Sequence, residues 1–169
     1  MAKQMTSAEA GKLLRSLQQE LDNCRELESK SATFSAAVEE DEEKIRPDYD
    51  FAKTQEELDG LERQIRQLKH AINVFNLTTE VPGFAMTVDQ MLVYLPQQTA
   101  RRDKLRAMQG RLPRERQASY NSNFIEYTIA NYDIEEAKAA YLKAADEVTR
   151  AQLALDKVNS TVPLTVELD

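Results

Sequence analysis

Between Phe51 and Phe75 the apolar side chains keep one spacing. Phe51, Leu58, Ile65 and Ile72 fall every seven residues, and Thr54, Leu61, Leu68 and Phe75 each follow three residues later, with Thr54 alone polar. Alternating steps of three and four draw a single narrow stripe along an α-helix, the seam of a coiled coil or a long helical hairpin. The other faces carry Glu56, Glu57, Glu62, Arg63, Arg66 and Lys69. Such a helix has one face to bury and must find another helix to cover it.

The rest of the chain offers partners. Ile134, Tyr141, Val148 and Leu155 repeat every seven residues, Ala137, Ala144 and Ala151 take the intermediate positions, and Val158 follows. Alanine at a seam lets two helix backbones approach closely, which favours a tight antiparallel partner. Asp133 and Glu136 are placed to cap this helix. Near the start, Thr6 and Glu9 have capping-box spacing. Ala10, Leu14, Leu17, Leu21 and Cys24 then form a stripe, predicting a helix from about Ser7 to Lys30. Thr87 and Gln90 repeat the capping box and open a further helix. Met91, Leu92, Leu95, Leu105, Met108 and Leu112 supply its apolar side, and Gly110 and Pro113 close it. Pro96 is expected to kink or split this helix, because proline lacks the backbone N–H.

The β content is small. Thr78 to Val81 and Phe84 to Met86 read as two short extended pieces about a type II turn at Pro82-Gly83. Phe124 to Tyr132, rich in aromatic and β-branched residues, reads as one strand able to join that hairpin. Val162, Leu164, Val166 and Leu168 alternate as in a last strand, with Pro163 suited to an edge. Asn76 is expected to end its helix, since asparagine tolerates the left-handed C-cap conformation, and Asn159 to end the last one. Ile72, Asn76 and Thr78 leave one helix much as Leu155, Asn159 and Thr161 leave another, either a faint internal repeat or the same helix-ending chemistry used twice. The predicted class is mainly α: long antiparallel helical hairpins or a coiled-coil bundle with a short β-hairpin and one or two further strands. An N-terminal helix and acidic connection over 1–50 would precede a hairpin core over 51–169, the two forming one structural unit.

Charge and chemistry narrow the function. The net charge is −7, which argues against broad binding to nucleic acid or anionic membranes. Glu39, Glu40, Asp41, Glu42 and Glu43 form an acidic run without EF-hand spacing or its central glycine, and it reads as a solvated connection leading to Pro47 and a helix capped by Asp48 or Asp50. Arg101, Arg102, Lys104, Arg106, Arg111, Arg114 and Arg116 form a basic segment without a nucleic-acid-binding signature; it reads as a solvated helix end that pairs with the acidic run, within or between subunits. Cys24 has no cysteine to bridge and no histidine to activate it, and so reads as a structural thiol. His70 falls away from the seam and reads as solvent-facing. No phosphate loop, HExxH, CxxC or G-x-S-x-G occurs. No apolar run is long enough to span a bilayer, and 1–17 does not read as a signal peptide, so a cytoplasmic location is expected.

The succession of parts resembles the septicolysin-like family of small bacterial helical proteins. The resemblance rests on Leu58 to Leu68, Ala71-Ile72-Asn73, Asn76-Leu77-Thr78-Thr79, Arg102-Asp103 with Leu105, Tyr120 before the strand, Asp133-Ile134 and Asn159. It covers roughly 51–164, and it departs at Ser122, where the family tends to carry arginine, and at Pro96. It implies an antiparallel helical hairpin with a small β element, a homo-oligomer, and no established catalytic residues. The expectation is thus a non-enzymatic, self-associating structural or interaction module without cofactor, metal or small-molecule substrate. Its seams are Leu58, Leu61, Ile65, Leu68, Ile72 and Phe75, and Ile134, Ala137, Tyr141, Ala144, Val148, Ala151 and Leu155. The alternative, suggested by the family name, is a secreted or membrane-active pore former.

Overall fold

The computed structural model describes residues 2–117 and 125–168. Tyr120, Ser122 and Phe124, used in the sequence reading, lie outside the described residues. In chain order the elements are β1 (Ala2–Thr6), α1 (Ser7–Ser31), α2 (Glu42–Ile45), α3 (Phe51–Thr78), β2 (Glu80–Val81), β3 (Met86–Thr87), α4 (Val88–Gln109), β4 (Arg114–Arg116), β5 (Tyr127–Ile129), α5 (Ile134–Thr161) and β6 (Pro163–Glu167). The fold is mainly α with short antiparallel strand pairs, as the stripes predict. It gathers into two compact units, Met1–Asn76 with Asn159–Asp169, and Leu77–Val158. The division does not fall at Asp50, because α1 and most of α3 share one unit.

In the first unit, the Thr6 hydroxyl accepts from the Glu9 N–H at 3.2 Å and the Glu9 carboxylate accepts from the Thr6 N–H at 2.8 Å. This box satisfies two donors that a helix start leaves open. The Thr6 N–H also holds the Glu9 carboxyl below its usual range. Asp50 starts α3: its carboxylate accepts from the Lys53 N–H at 3.1 Å. The two long helices run antiparallel, since Glu28 of α1 meets Gln55 of α3 while Arg25 meets Glu62. The buried side chains are Ala10, Leu17 and Leu21 of α1, Leu58, Leu61, Ile65, Leu68 and Phe75 of α3, and Met5, Leu164 and Val166 of the β1–β6 pair. Sequence reading supplied β6 but not its partner: β1 pairs with it antiparallel, Met5 opposite Leu164. A further unforeseen element is α2, one short helix inside the acidic run, whose Asp41 carboxylate accepts from the Glu43 N–H.

In the second unit, Thr87 and Gln90 close the expected capping box. Antiparallel α4 and α5 are tied where the Tyr94 hydroxyl donates to Glu147 at 2.7 Å, and the hydroxyl of Tyr132, just before α5, donates to the Met108 carbonyl at 2.8 Å. Val81, Val88 and Met91 are buried here with Ala137, Ala144, Val148, Ala151, Leu155 and Val158. The Pro82-Gly83 turn is present, with Gly83 at φ 84° and the Phe84 N–H donating to the Val81 carbonyl at 3.2 Å. That positive φ is the one a type II turn reserves for glycine.

Four local expectations fail for physical reasons. Helices α3 and α5 run two residues past Asn76 and Asn159, to Thr78 and Thr161. Neither asparagine takes a positive φ, so both stay in the helix. Of the two outcomes expected for Pro96, a kink or a split, the split is absent: α4 runs through it. Pro96 and Leu92, whose carbonyl loses its partner, are both exposed, so water can serve that carbonyl. The strand expected over 124–132 is reduced to β5, and it pairs with β4 rather than with the 78–86 hairpin. Arg114–Arg116 is therefore strand, not helix end.

The order of elements runs twice. A strand leads through a Thr-capped helix and a connection to a helix of 28 residues and a closing strand: β1, α1, α3, β2, then β3, α4, α5, β6. Each long helix ends at the threonine two residues after an asparagine, so the likeness noticed between 72–78 and 155–161 extends over the whole chain.

Two substitutions test this packing by denaturant unfolding. Ile65→Ala, at a buried α3 position, is expected to cost about 2–5 kcal/mol. Ala151→Leu inserts volume at a fully buried alanine and is expected to cost about 1–3 kcal/mol, whereas the same change at exposed Ala139 should be nearly neutral. An unchanged stability in Ile65→Ala contradicts the seam.

Candidate functional site

The predicted seam residues are spent inside their own units. Leu58, Leu61, Ile65, Leu68, Phe75, Ala137, Ala144, Val148, Ala151 and Leu155 are buried, and Ile72, Ile134 and Tyr141 are half-buried. They hold the fold, and a surface that meets another molecule has to lie elsewhere. Three other places hold side chains in a shaped environment.

The first is a groove of about 390 Å³ in the first unit, lined by α1, the end of the acidic connection and the start of α3. Glu28 organises it: its Oε1 accepts from the Tyr49 hydroxyl at 3.0 Å and from the Gln55 amide. Burial pushes the Tyr49 hydroxyl above its usual range, and the Glu28 carboxylate adds to this. Cys24 sits in the same groove, half-buried. Desolvation raises its pKa, and the nearby carboxylates of Glu57, Glu28 and Glu20 raise it further. A thiolate is the nucleophile, so this setting keeps the thiol inert.

The second is a groove of about 550 Å³ between α4 and α5. Its floor is made of Ala139, Ala140 and Ala144, and its rim carries Arg101, Lys143, Glu136 and Glu147. The hydrogen bond to Glu147 lifts the Tyr94 hydroxyl above its usual range, with desolvation adding to it. Arg150 bonds the other Glu147 oxygen at 2.6 Å and lies over the Phe84 ring at 5.1 Å. Both carboxylate oxygens are thus engaged in structural contacts.

The third is the ribbon β4–β5, which sequence reading missed. Its ladder extends past both strands, through Gln117 to Glu126 and through Ala130 to Pro113. Arg114 lies opposite Ile129 and Arg116 opposite Tyr127. Residues directly opposite in an antiparallel pair share a face, so two arginines, a tyrosine and an isoleucine stand together. Arg114 covers the Tyr127 ring at 3.8 Å, a cation–π contact. The reverse face carries Glu115 and Thr128, with Thr128 bonded to Gln117. The signal was in the sequence: cations at 114 and 116 alternate as the apolar residues at 127 and 129 do. The run of seven cations masks it, because those at 101–106 belong to α4 and those at 114 and 116 to a strand.

Among the described residues no group of three or more His, Cys, Asp or Glu side chains is placed to hold a metal ion. No helix of the described chain is long and apolar enough to cross a membrane. His70 is exposed. The groove predicts that Cys24 reacts with an aromatic disulfide reagent at pH 8 severalfold more slowly than a free thiol. Glu57→Gln should speed the reaction by removing one of the charges that oppose thiolate formation. Equal rates for the protein and a free thiol contradict this environment.

No protein-family model matches the sequence, and no curated protein matches it. Among solved structures, a crystal structure of a functionally unknown conserved protein from Corynebacterium diphtheriae is similar over 96% of this chain and 99% of its own, with a TM-score of 0.60 and 23% identity. At that identity the likeness establishes a shared architecture across nearly the whole chain, and the architecture alone.

Proposed function

We propose that this chain is a non-enzymatic, self-associating helical protein of the cytoplasm that serves as a structural or protein-interaction module. The observation that carries the reading is where its large apolar side chains stand. Leu142 and Leu153 of α5 are 61% and 66% exposed. They are spaced by three helical turns and so share one face. Leu92 and Val93 of α4 and Val74 and Leu77 of α3 are exposed in adjacent pairs or a turn apart. Leu92 and Leu112 were expected on the inward side of their helix, and both face out. Single exposed apolar residues are ordinary on any protein. Grouped ones on regular elements are the mark of contact surfaces.

The polar side of the ledger supports the same reading. No polar or charged residue of the described chain is buried. Reacting acids, bases and nucleophiles are ordinarily tuned by desolvation and by a charged partner. The groups with raised pKa, Cys24, Tyr49 and Tyr94, are shifted toward their protonated and unreactive forms. The resemblance to the septicolysin-like family sits within this reading as a likeness of helical architecture.

Light scattering over a range of concentrations tests the proposal. The mass is expected to rise above the 19.3 kDa of a single chain as concentration increases. A mass that stays at one chain up to the solubility limit contradicts it.

A further inference from the structure

The acidic connection between α1 and α3 has a segment of opposite charge in the other half of the chain, the end of α4 with β4. Residues 39–50 hold seven carboxylates against Lys44 and Arg46, a net of −5. Residues 101–116 hold seven cations against Asp103 and Glu115, a net of +5. In a chain of net −7 this leaves −12 on everything outside the basic stretch. Like charge on both segments would make copies repel wherever these parts met. Opposite charge lets one segment attract the other.

Each region also exposes apolar side chains beside its charges. On the ribbon, Ile125, Tyr127 and Ile129 are 62%, 42% and 66% exposed, next to Arg114 and Arg116. In the acidic connection Phe34, Val38 and Ile45 are exposed, and Ile45 ends α2. A two-stranded ribbon with an apolar face is marginal in water unless something packs on that face. A partner suited to it brings apolar groups set among carboxylates.

We propose that the cationic, apolar face of the β4–β5 ribbon is a docking surface for a second copy of this chain, and that it takes the acidic segment around α2 of that copy. This rests on the self-association proposed above and names the surfaces that carry it. The ribbon arginines meet the carboxylates of 39–43, and Tyr127 and Ile129 cover Val38 and Ile45. The contact joins two different surfaces and is heterologous, so after one contact one copy keeps a free acidic segment and the other a free ribbon.

Two charge reversals test the proposal, Arg114→Glu with Arg116→Glu, and Glu39→Lys with Glu42→Lys. All four positions are exposed. Circular dichroism and thermal melting check that each double variant is folded. Sedimentation velocity on the full chain is expected to show association weakened at least tenfold by either double variant, and weakened for the unaltered chain by raising the salt. An equimolar mixture of the two double variants is expected to associate again, because each retains the surface the other needs. If the unaltered chain associates and both folded double variants associate equally well, this docking is wrong while self-association stands. If the unaltered chain does not associate, both proposals fall. Binding of duplex DNA that the ribbon variant abolishes, with self-association unaffected, assigns the ribbon to nucleic acid and overturns the proposal.

Discussion

Everything here depends on covering one apolar stripe. A 28-residue helix such as α3 is charged on most of its surface, and its buried side chains are Leu58, Leu61, Ile65, Leu68 and Phe75. Alone it would expose that line to water, and tertiary packing supplies most of a helix's stability in proteins. Antiparallel α1 accompanies it in the first unit, and α4 and α5 repeat the arrangement in the second. The polar cross-links are few and partly exposed. Arg25 with Glu62 is a surface ion pair of a kind that contributes about 0–1 kcal/mol. It helps set alignment, while burial supplies the stability.

What could be read from the sequence follows from which signals are local. Capping boxes are settled within four residues, so Thr6 with Glu9 and Thr87 with Gln90 were placed correctly. A heptad stripe is settled by its own spacing, so most of the buried faces of α3 and α5 were legible, although Phe51, which opens the stripe, is exposed and Ile72, Ile134 and Tyr141 are half-buried. Strand pairing is not local. Nothing near Ala2–Thr6 shows that it will lie beside Pro163–Glu167, at the other end of the chain. The same holds for Arg114–Arg116, which reads as a helix end until Tyr127–Ile129 is set against it. Helix ends failed more narrowly: Asn76 and Asn159 are permitted the left-handed conformation, but permission is not compulsion.

The repeat explains why such small β elements persist. Each half begins and ends in a short strand, and the pairs join β1 to β6 and β2 to β3. These two pairs each take one strand from each half, while β4–β5 lies within the second half. A two-residue strand such as Glu80–Val81 contributes little alone. Its worth lies in the tight Pro82-Gly83 turn, which leads from the end of α3 through β3 to the capped start of α4.

Duplication also sets the terms on which copies can meet. Were the end of α4 and β4 as acidic as 39–50, a two-fold contact between like surfaces would bring carboxylates together. On the docking proposed above, −5 on 39–50 and +5 on 101–116 let the contact join unlike surfaces. A heterologous contact closes only if its rotation divides a full turn; otherwise it continues as an open chain of copies. A ribbon of two short strands is a suitable device for such a contact. Its outward face offers cations and apolar groups together, so steering by charge and holding by burial act at the same place.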